Sequence, residues 1–193
     1  MLIDIVLYDG VDELDFVGPM EILRAAGSSG ADVVVRLCSR IPVPVITCSF
    51  GMQVVPDAVF TPGESDVVLV PGGGWAARND VGTWGEVERG DLLPLLRTAA
   101  EKGSTMVSVC TGALLLAHAG IIGDRRCTTH ASARQDLAAT GATVIDARLV
   151  DDGDLITGAG VTSGLDIGLH IVRRYFGDEA AEQASRRAEY WPG

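Results

Sequence analysis

Val107-Ser108-Val109-Cys110-Thr111-Gly112-Ala113-Leu114-Leu115-Leu116 runs an apolar strand into a cysteine that stands at the first turn of an apolar helix. A helix start offers unpaired N–H groups and the positive end of the macrodipole. Both stabilise an anionic sulfur, so the stretch predicts a thiolate with a pKa below the ordinary cysteine value. The same strand–turn–helix logic presents nucleophiles in hydrolases. The competing reading is a small buried hydrophobe, because free cysteine is among the most buried residue types.

On either side of this segment, strands and helices alternate. Leu2 to Leu7 is a short apolar run stopped by Asp9-Gly10, the pattern of a strand covered on both faces. Phe16, Met20, Ile22 and Leu23 then form a helical stripe from Asp15 to Ala26, ended by Gly27. A strand over 33–38 is followed by a hairpin pairing Val45-Ile46-Thr47 with Met52-Gln53-Val54-Val55 across Ser49-Phe50-Gly51. The strand 66–70 runs into Pro71-Gly72-Gly73-Gly74. Leu92 to Lys102 reads as a helix, 105–109 as the strand that delivers Cys110, and Thr111 to Ala119 as the helix beyond it. Downstream lie a short strand at Cys127-Thr128-Thr129, a helix over 131–139, a strand at Val144-Ile145, and a hairpin of 148–150 with 155–157 across Asp151-Asp152-Gly153-Asp154. Two last helices cover about 164–175 and 178–187. Such alternation predicts one α/β domain over 1–193, a three-layer α/β/α sandwich on a mostly parallel sheet with right-handed crossovers. Ligands of such sheets sit beyond the carboxyl ends of the strands, where Asp15, the Gly72–Gly74 loop and Cys110 are all expected to converge.

Composition narrows the function. Among 193 residues, 15 basic side chains face 26 acidic ones, and the net charge of −11 argues against a nucleic-acid partner, which needs a basic footprint. No apolar run approaches the ~20 residues of a membrane span. Met1-Leu2-Ile3-Asp4 lacks the basic start of a secretory signal, so a cytoplasmic protein is expected. Cys38, Cys48, Cys110 and Cys127 show no C-x-x-C spacing, and the histidines at 118, 130 and 170 show no ligand spacing. Reduced thiols and no metal site are therefore expected. Cys38, Cys48 and Cys127 lack an electropositive setting and read as inert. His118 and His170 fall inside helices and read as packing. Trp75 suits a pocket wall and plain packing equally.

Five ordered motifs over nearly the whole chain carry a resemblance. They are Asp15 with Gly18-Pro19-Met20-Glu21, Val70-Pro71-Gly72-Gly73, Val109-Cys110-Thr111-Gly112, Cys127-Thr128-Thr129-His130, and Gly160-Val161-Thr162-Ser163-Gly164-Leu165-Asp166. Together they resemble the ThiJ/PfpI superfamily. The Cys-Thr-Gly triplet, the Leu14-Asp15 ahead of Gly-Pro and the Gly-Val-Thr-Ser-Gly run are most similar to its isocyanide hydratase branch. The resemblance implies a flavodoxin-like fold, a homodimer and chemistry on a small molecule without cofactor or metal. It further implies Cys110 as nucleophile, Asp15 as the acid beside the sulfur, and Thr111 as a hydroxyl that positions substrate or water.

Each of these residues also has a plainer reading. Asp15 by itself suits an N-cap for the helix that follows, and Thr111 can satisfy a local backbone group at its helix start. Gly72 and Gly73 are implied in binding substrate, the Gly73 N–H forming an oxyanion hole with that of Thr111, although glycine-rich turns often do no more than turn the chain. His130, in the Thr-Thr-His position, is a candidate neighbour of the pocket and equally an ordinary strand-end residue. Threonine at 111 departs from the superfamily's Cys-His pairs, which weakens a peptidase or amidase reading. Two alternatives to isocyanide hydration stand: glyoxalase- or deglycase-like chemistry on reactive carbonyls, and a non-catalytic redox or ligand sensor. Regulators of the AraC type carry a similar ligand-binding half, but with Trp191-Pro192-Gly193 closing the sequence an appended DNA-binding module is not expected.

Overall fold

Ile3, Ile5 and Val6 are fully buried along a strand whose alternate residues face opposite sides, so both faces of the sheet must be covered. The computed structural model describes residues 1–192, and Gly193 of the predicted chain end lies outside them. In chain order the elements are β1 Leu2–Leu7, α1 Glu13–Ser28, β2 Val34–Ser39, β3 Ile46–Thr47, β4 Gln53–Val54, β5 Ala58–Val59, β6 Val67–Val70, α2 Gly82–Arg89, α3 Leu93–Glu101, β7 Thr105–Ser108 and α4 Gly112–His118. They continue with β8 Arg126–Cys127, a 3-10 turn at Ala131–Ala133, α5 Arg134–Ala139, β9 Thr143–Val144, β10 Leu149–Asp151, β11 Leu155–Gly158, α6 Ser163–Phe176 and α7 Asp178–Ala188.

Seven strands form one sheet in the order β10-β11-β7-β6-β1-β2-β5. All neighbours are parallel except β10, which folds back antiparallel on β11 with Val150 opposite Thr157. Helices α1, α6 and α7 pack together, and α4 packs with α2, α3 and α5 in a second group. The result is the expected α/β/α sandwich. The excursion at 46–54 is an antiparallel hairpin outside the main sheet, also as expected.

Several readings need correction. Helix α2 and strand β5 were not anticipated. In α2, glycine serves close approach: a Cβ on Gly85 would lie 2.1 Å from the Asp80 carbonyl oxygen. Only Arg126 and Cys127 pair in β8, so Thr128 and Thr129 leave the ladder and turn their hydroxyls to other work. The helix expected over 131–139 begins as a 3-10 turn.

Helices α1 and α6 meet through small residues. A Cβ on Gly164 would lie 2.7 Å from Pro19 Cδ, and one on Gly168 would lie 2.8 Å from Ile22 Cβ. The same approach sets Gly164 against the Leu14 and Asp15 carbonyls in the first turn of α1.

A buried ion pair spans the other end of β1. Asp4 is fully buried and accepts two hydrogen bonds from Arg36 on β2, at 2.8 and 2.9 Å. The bidentate geometry matches a guanidinium fork to a carboxylate. Removing one partner strands the other's charge, whereas removing both does not. We expect Arg36→Met to cost up to about 3 kcal/mol in urea unfolding, and Asp4→Val with Arg36→Met to recover most of that loss. Equal losses in the single and double variants would contradict this account of the pair.

Candidate active site

Cys110 sits between β7 and α4 with φ +56°, a left-handed conformation that a non-glycine residue rarely adopts. Its neighbours hold it there. The Cys110 N–H donates to Gly158 O at 3.2 Å, and the Thr129 hydroxyl donates to the Cys110 carbonyl at 2.7 Å. Thr111 is the N-cap of α4, so the cysteine stands just before the helix rather than in its first turn.

Asp15 lies inside α1 and not in a loop after β1, and it is fully buried. The cap reading of this residue is overturned, because Asp12 caps α1 and accepts from Leu14 N at 3.1 Å. One carboxylate oxygen of Asp15 accepts from Gly72 N at 2.8 Å, while Oδ1 is buried without a conventional hydrogen bond. The carboxyl and the Cys110 thiol are close enough for each to shift the other's proton affinity.

Burial, with the Asp12 charge adding to it, pushes Asp15 up to about 8. The Cys110 thiol is pushed up by burial and then by the Asp15 charge, against a smaller lowering from the Thr111 N–H. The expected dipole-depressed thiolate is thus corrected: α4 is only seven residues long, and desolvation of a nearly inaccessible sulfur outweighs its N-terminal field. Cys110 and Asp15 are coupled, so the first proton to leave belongs to the pair. One form of the resulting single anion is a thiolate facing a protonated carboxyl.

The loop 71–73 is tied on every side. Asp12 N donates to Gly72 O at 2.9 Å, Thr83 N donates to Gly73 O at 2.7 Å, and the Tyr8 hydroxyl donates to Pro71 O at 2.6 Å. A Cβ on Gly72 would fall 2.5 Å from both the amide nitrogen and the hydroxyl of Thr111, so only glycine fits. Gly73 N donates to Thr111 Oγ1 at 2.9 Å. That bond corrects the expected oxyanion hole, since the Gly73 N–H is taken by Thr111 and the Gly72 N–H by Asp15.

His130 has no hydrogen bond to Cys110 or Asp15. It caps the 3-10 turn through Ser132, with Nδ1 at 3.2 Å from Ser132 N, and its ring edge lies beside Gly160. Trp75 is packing: it is buried against Trp84 in an edge-on contact at 5.1 Å and donates to Asp136 at 2.5 Å. His118 packs near Trp75, as expected, whereas His170 pairs with Asp151 at 2.7 Å in place of apolar packing. Burial pushes Cys38 up to about 12 and Cys48 and Cys127 to about 11, which agrees with inert thiols. No group of three metal-ligating side chains comes together among the described residues.

The sequence reading missed Tyr8, Thr83 and Thr129. Thr129 stood inside a quoted motif, but its hydroxyl becomes meaningful only once it leaves the strand. Tyr8 and Thr83 carried no signal, one being a strand-end aromatic and the other lying in the unanticipated α2.

Residues 1–174 match the model of the DJ-1/PfpI family. The chain belongs to that family. It is 35% identical over 191 residues to the isonitrile hydratase of Pseudomonas putida, a match covering 98% of this chain and 78% of that protein. It is 29% identical over 185 residues to the HTH-type transcriptional regulator CdhR of Pseudomonas aeruginosa, covering 94% of this chain and 52% of the regulator. Among solved structures, a THiJ/PfpI family protein from Pseudomonas syringae superposes with a TM-score of 0.87 at 31% identity, covering 100% of this chain and 76% of that one.

Two outcomes follow from the shared proton. Alkylation of Cys110 by iodoacetamide, followed by mass spectrometry, is expected to speed up through a midpoint near pH 8, where the pair loses its first proton. In Asp15→Asn that proton comes from the buried thiol alone, so the midpoint moves upward. A midpoint that stays put or falls in the variant contradicts the coupling.

Proposed function

We propose that this family member is an isocyanide hydratase, a hydro-lyase that adds water to an isocyanide and releases an N-substituted formamide. The observation that carries the reading is the buried pair of Cys110 and a carboxyl held near pKa 8, with threonine rather than histidine next to the sulfur. Such a pair supplies a nucleophile and one mobile proton, which suits an isocyanide, whose terminal carbon accepts both. Likeness to the Pseudomonas putida isonitrile hydratase supports the same choice.

The Cys110 thiolate bonds to the terminal carbon while Asp15 gives its proton to that carbon, forming a thioimidate and an Asp15 carboxylate. Water then adds to the same carbon. One water proton passes through Asp15 to nitrogen, and the other stays on the new hydroxyl. Collapse returns that hydroxyl proton to Asp15 and breaks the carbon–sulfur bond, freeing the formamide and restoring the thiolate. No anionic oxygen accumulates against the loop, so the commitment of the Gly72 and Gly73 N–H groups elsewhere is no obstacle.

The reading requires no cofactor and takes a small apolar molecule as its partner. We place the enzyme in the cytoplasm, where a free thiol persists. We also read it as a homodimer that does not bind nucleic acid. Phe50 on the hairpin and Leu14 on α1 are exposed close together, Glu13 Oε1 being bonded to Phe50 N at 2.8 Å, and they offer an apolar surface for a second copy. Sedimentation of the wild type against Phe50→Glu checks this. The expected result is a dimer that dissociates in the variant, whereas a monomeric wild type refutes it.

Turnover of cyclohexyl isocyanide to the formamide is the direct test. Cys110→Ala is expected to abolish it, and Asp15→Ala to lower kcat at least about 100-fold, the scale of a lost general acid. Methylglyoxal assayed in parallel separates the carbonyl alternative. Turnover of methylglyoxal without isocyanide hydration, or full activity in Cys110→Ala, defeats the proposal.

A further inference from the structure

Three buried hydroxyls close a ring around the loop 71–73. Tyr8 OH lies 2.6 Å from Pro71 O, Tyr8 OH and Thr83 Oγ1 are 3.1 Å apart, Thr83 Oγ1 and Thr111 Oγ1 are 3.1 Å apart, and Gly73 N donates to Thr111 Oγ1 at 2.9 Å. Tyr8, Thr83 and Thr111 are all buried.

A hydroxyl has one proton and can accept through its oxygen lone pairs, so the direction of the chain is set by its ends. A carbonyl can only accept, and an amide N–H can only donate. Tyr8 therefore commits its proton to Pro71, and its oxygen must accept from Thr83. Thr83 then has only its oxygen to offer Thr111, so the Thr111 proton points to Thr83. The run is Gly73 N–H to Thr111, Thr111 to Thr83, Thr83 to Tyr8, and Tyr8 to Pro71. Thr111 is left with one lone pair and no proton to give.

We infer that Tyr8 and Thr83 are positioning residues that hold the Thr111 hydroxyl as an acceptor only, so that it receives a hydrogen bond from the attacking water and donates none to the substrate. This rests on the hydratase reading above. In the water-addition step, the water oxygen bonds to the thioimidate carbon and one of its protons passes through Asp15 to nitrogen. The other, which stays on oxygen, points at Thr111 Oγ1 and fixes the line of attack. Thioimidate formation uses no water and is indifferent to the chain.

Single-turnover kinetics with cyclohexyl isocyanide, following the Cys110 adduct by intact mass, separates the two steps. In Thr83→Val, which keeps the β-branched shape, the adduct is expected to form at the wild-type rate and decay about ten-fold more slowly, the effect of one lost buried hydrogen bond. Tyr8→Phe is expected to behave alike, since Thr83 is then free to reverse. Thr83→Ser restores decay to within about two-fold. Wild-type decay in both Thr83→Val and Tyr8→Phe overturns the inference, as does equal slowing in Thr83→Ser, which would mark a packing role. Amide hydrogen exchange at Gly73 needs no substrate: it is expected to rise about ten-fold in Thr83→Val and not in Thr83→Ser. If no isocyanide is turned over by the wild type, the hydratase reading falls on that result, while unchanged Gly73 exchange in Thr83→Val overturns the chain itself.

Discussion

Backbone lying directly on backbone, where the end of β6 meets the start of α4, is the constraint on which the site depends. A Cβ on Gly112 would fall 2.1 Å from Val70 O, and one on Gly72 would fall 2.5 Å from Thr111 N. Because neither residue has a side chain, the glycine loop can reach Asp15 with one amide and Thr111 with the next. Cys110 takes up the remaining geometry in its left-handed φ. A conformation of that kind costs of order 1–3 kcal/mol, and the bonds from Thr129 and to Gly158 offset it.

The architecture was legible because covered parallel strands leave a plain trace. Val67–Val70 is apolar throughout and Leu2–Leu7 is apolar but for Asp4, and the helices between strands carry their own stripes. The site was legible in part. Cys110 announced itself by its place between strand and helix, and Asp15 by its motif. What stayed hidden were relations between distant segments. Tyr8, Thr83 and Thr111 come from three elements that meet only in the folded chain, and no spacing encodes a hydroxyl pointing at another across 28 residues. Proton affinity was misjudged for a related reason. A helix start is a local feature that sequence displays, whereas desolvation depends on everything packed around the sulfur.

Two buried carboxylates illustrate how differently the fold treats the same group. Asp4 on β1 meets a guanidinium in fork geometry, two hydrogen bonds to one carboxylate. Asp15 on α1 is buried near the Asp12 charge, and these two effects hold its proton into the neutral range although the Gly72 amide and the Cys110 thiol pull the other way. Charge is neutralised by a partner at one end of the sheet and withheld by burial at the other. Only the second arrangement leaves a proton free to move.

The hairpin β3–β4 stands outside the main sheet and is tied to the rest through Thr47, which bonds Asp9 and Gly10, through Ser49, which bonds Gly10 and Val11, and through Glu13. Its tip residue Phe50 is 86% exposed, while the loop 71–73 beneath has a partner for nearly every polar atom. Inheritance therefore acts on two layers with different tolerances. The knot of glycines and threonines admits almost no change, whereas the exposed side chain at the hairpin tip can change without touching the reacting pair. Drift in the outer layer is thereby uncoupled from the geometry of Cys110 and Asp15.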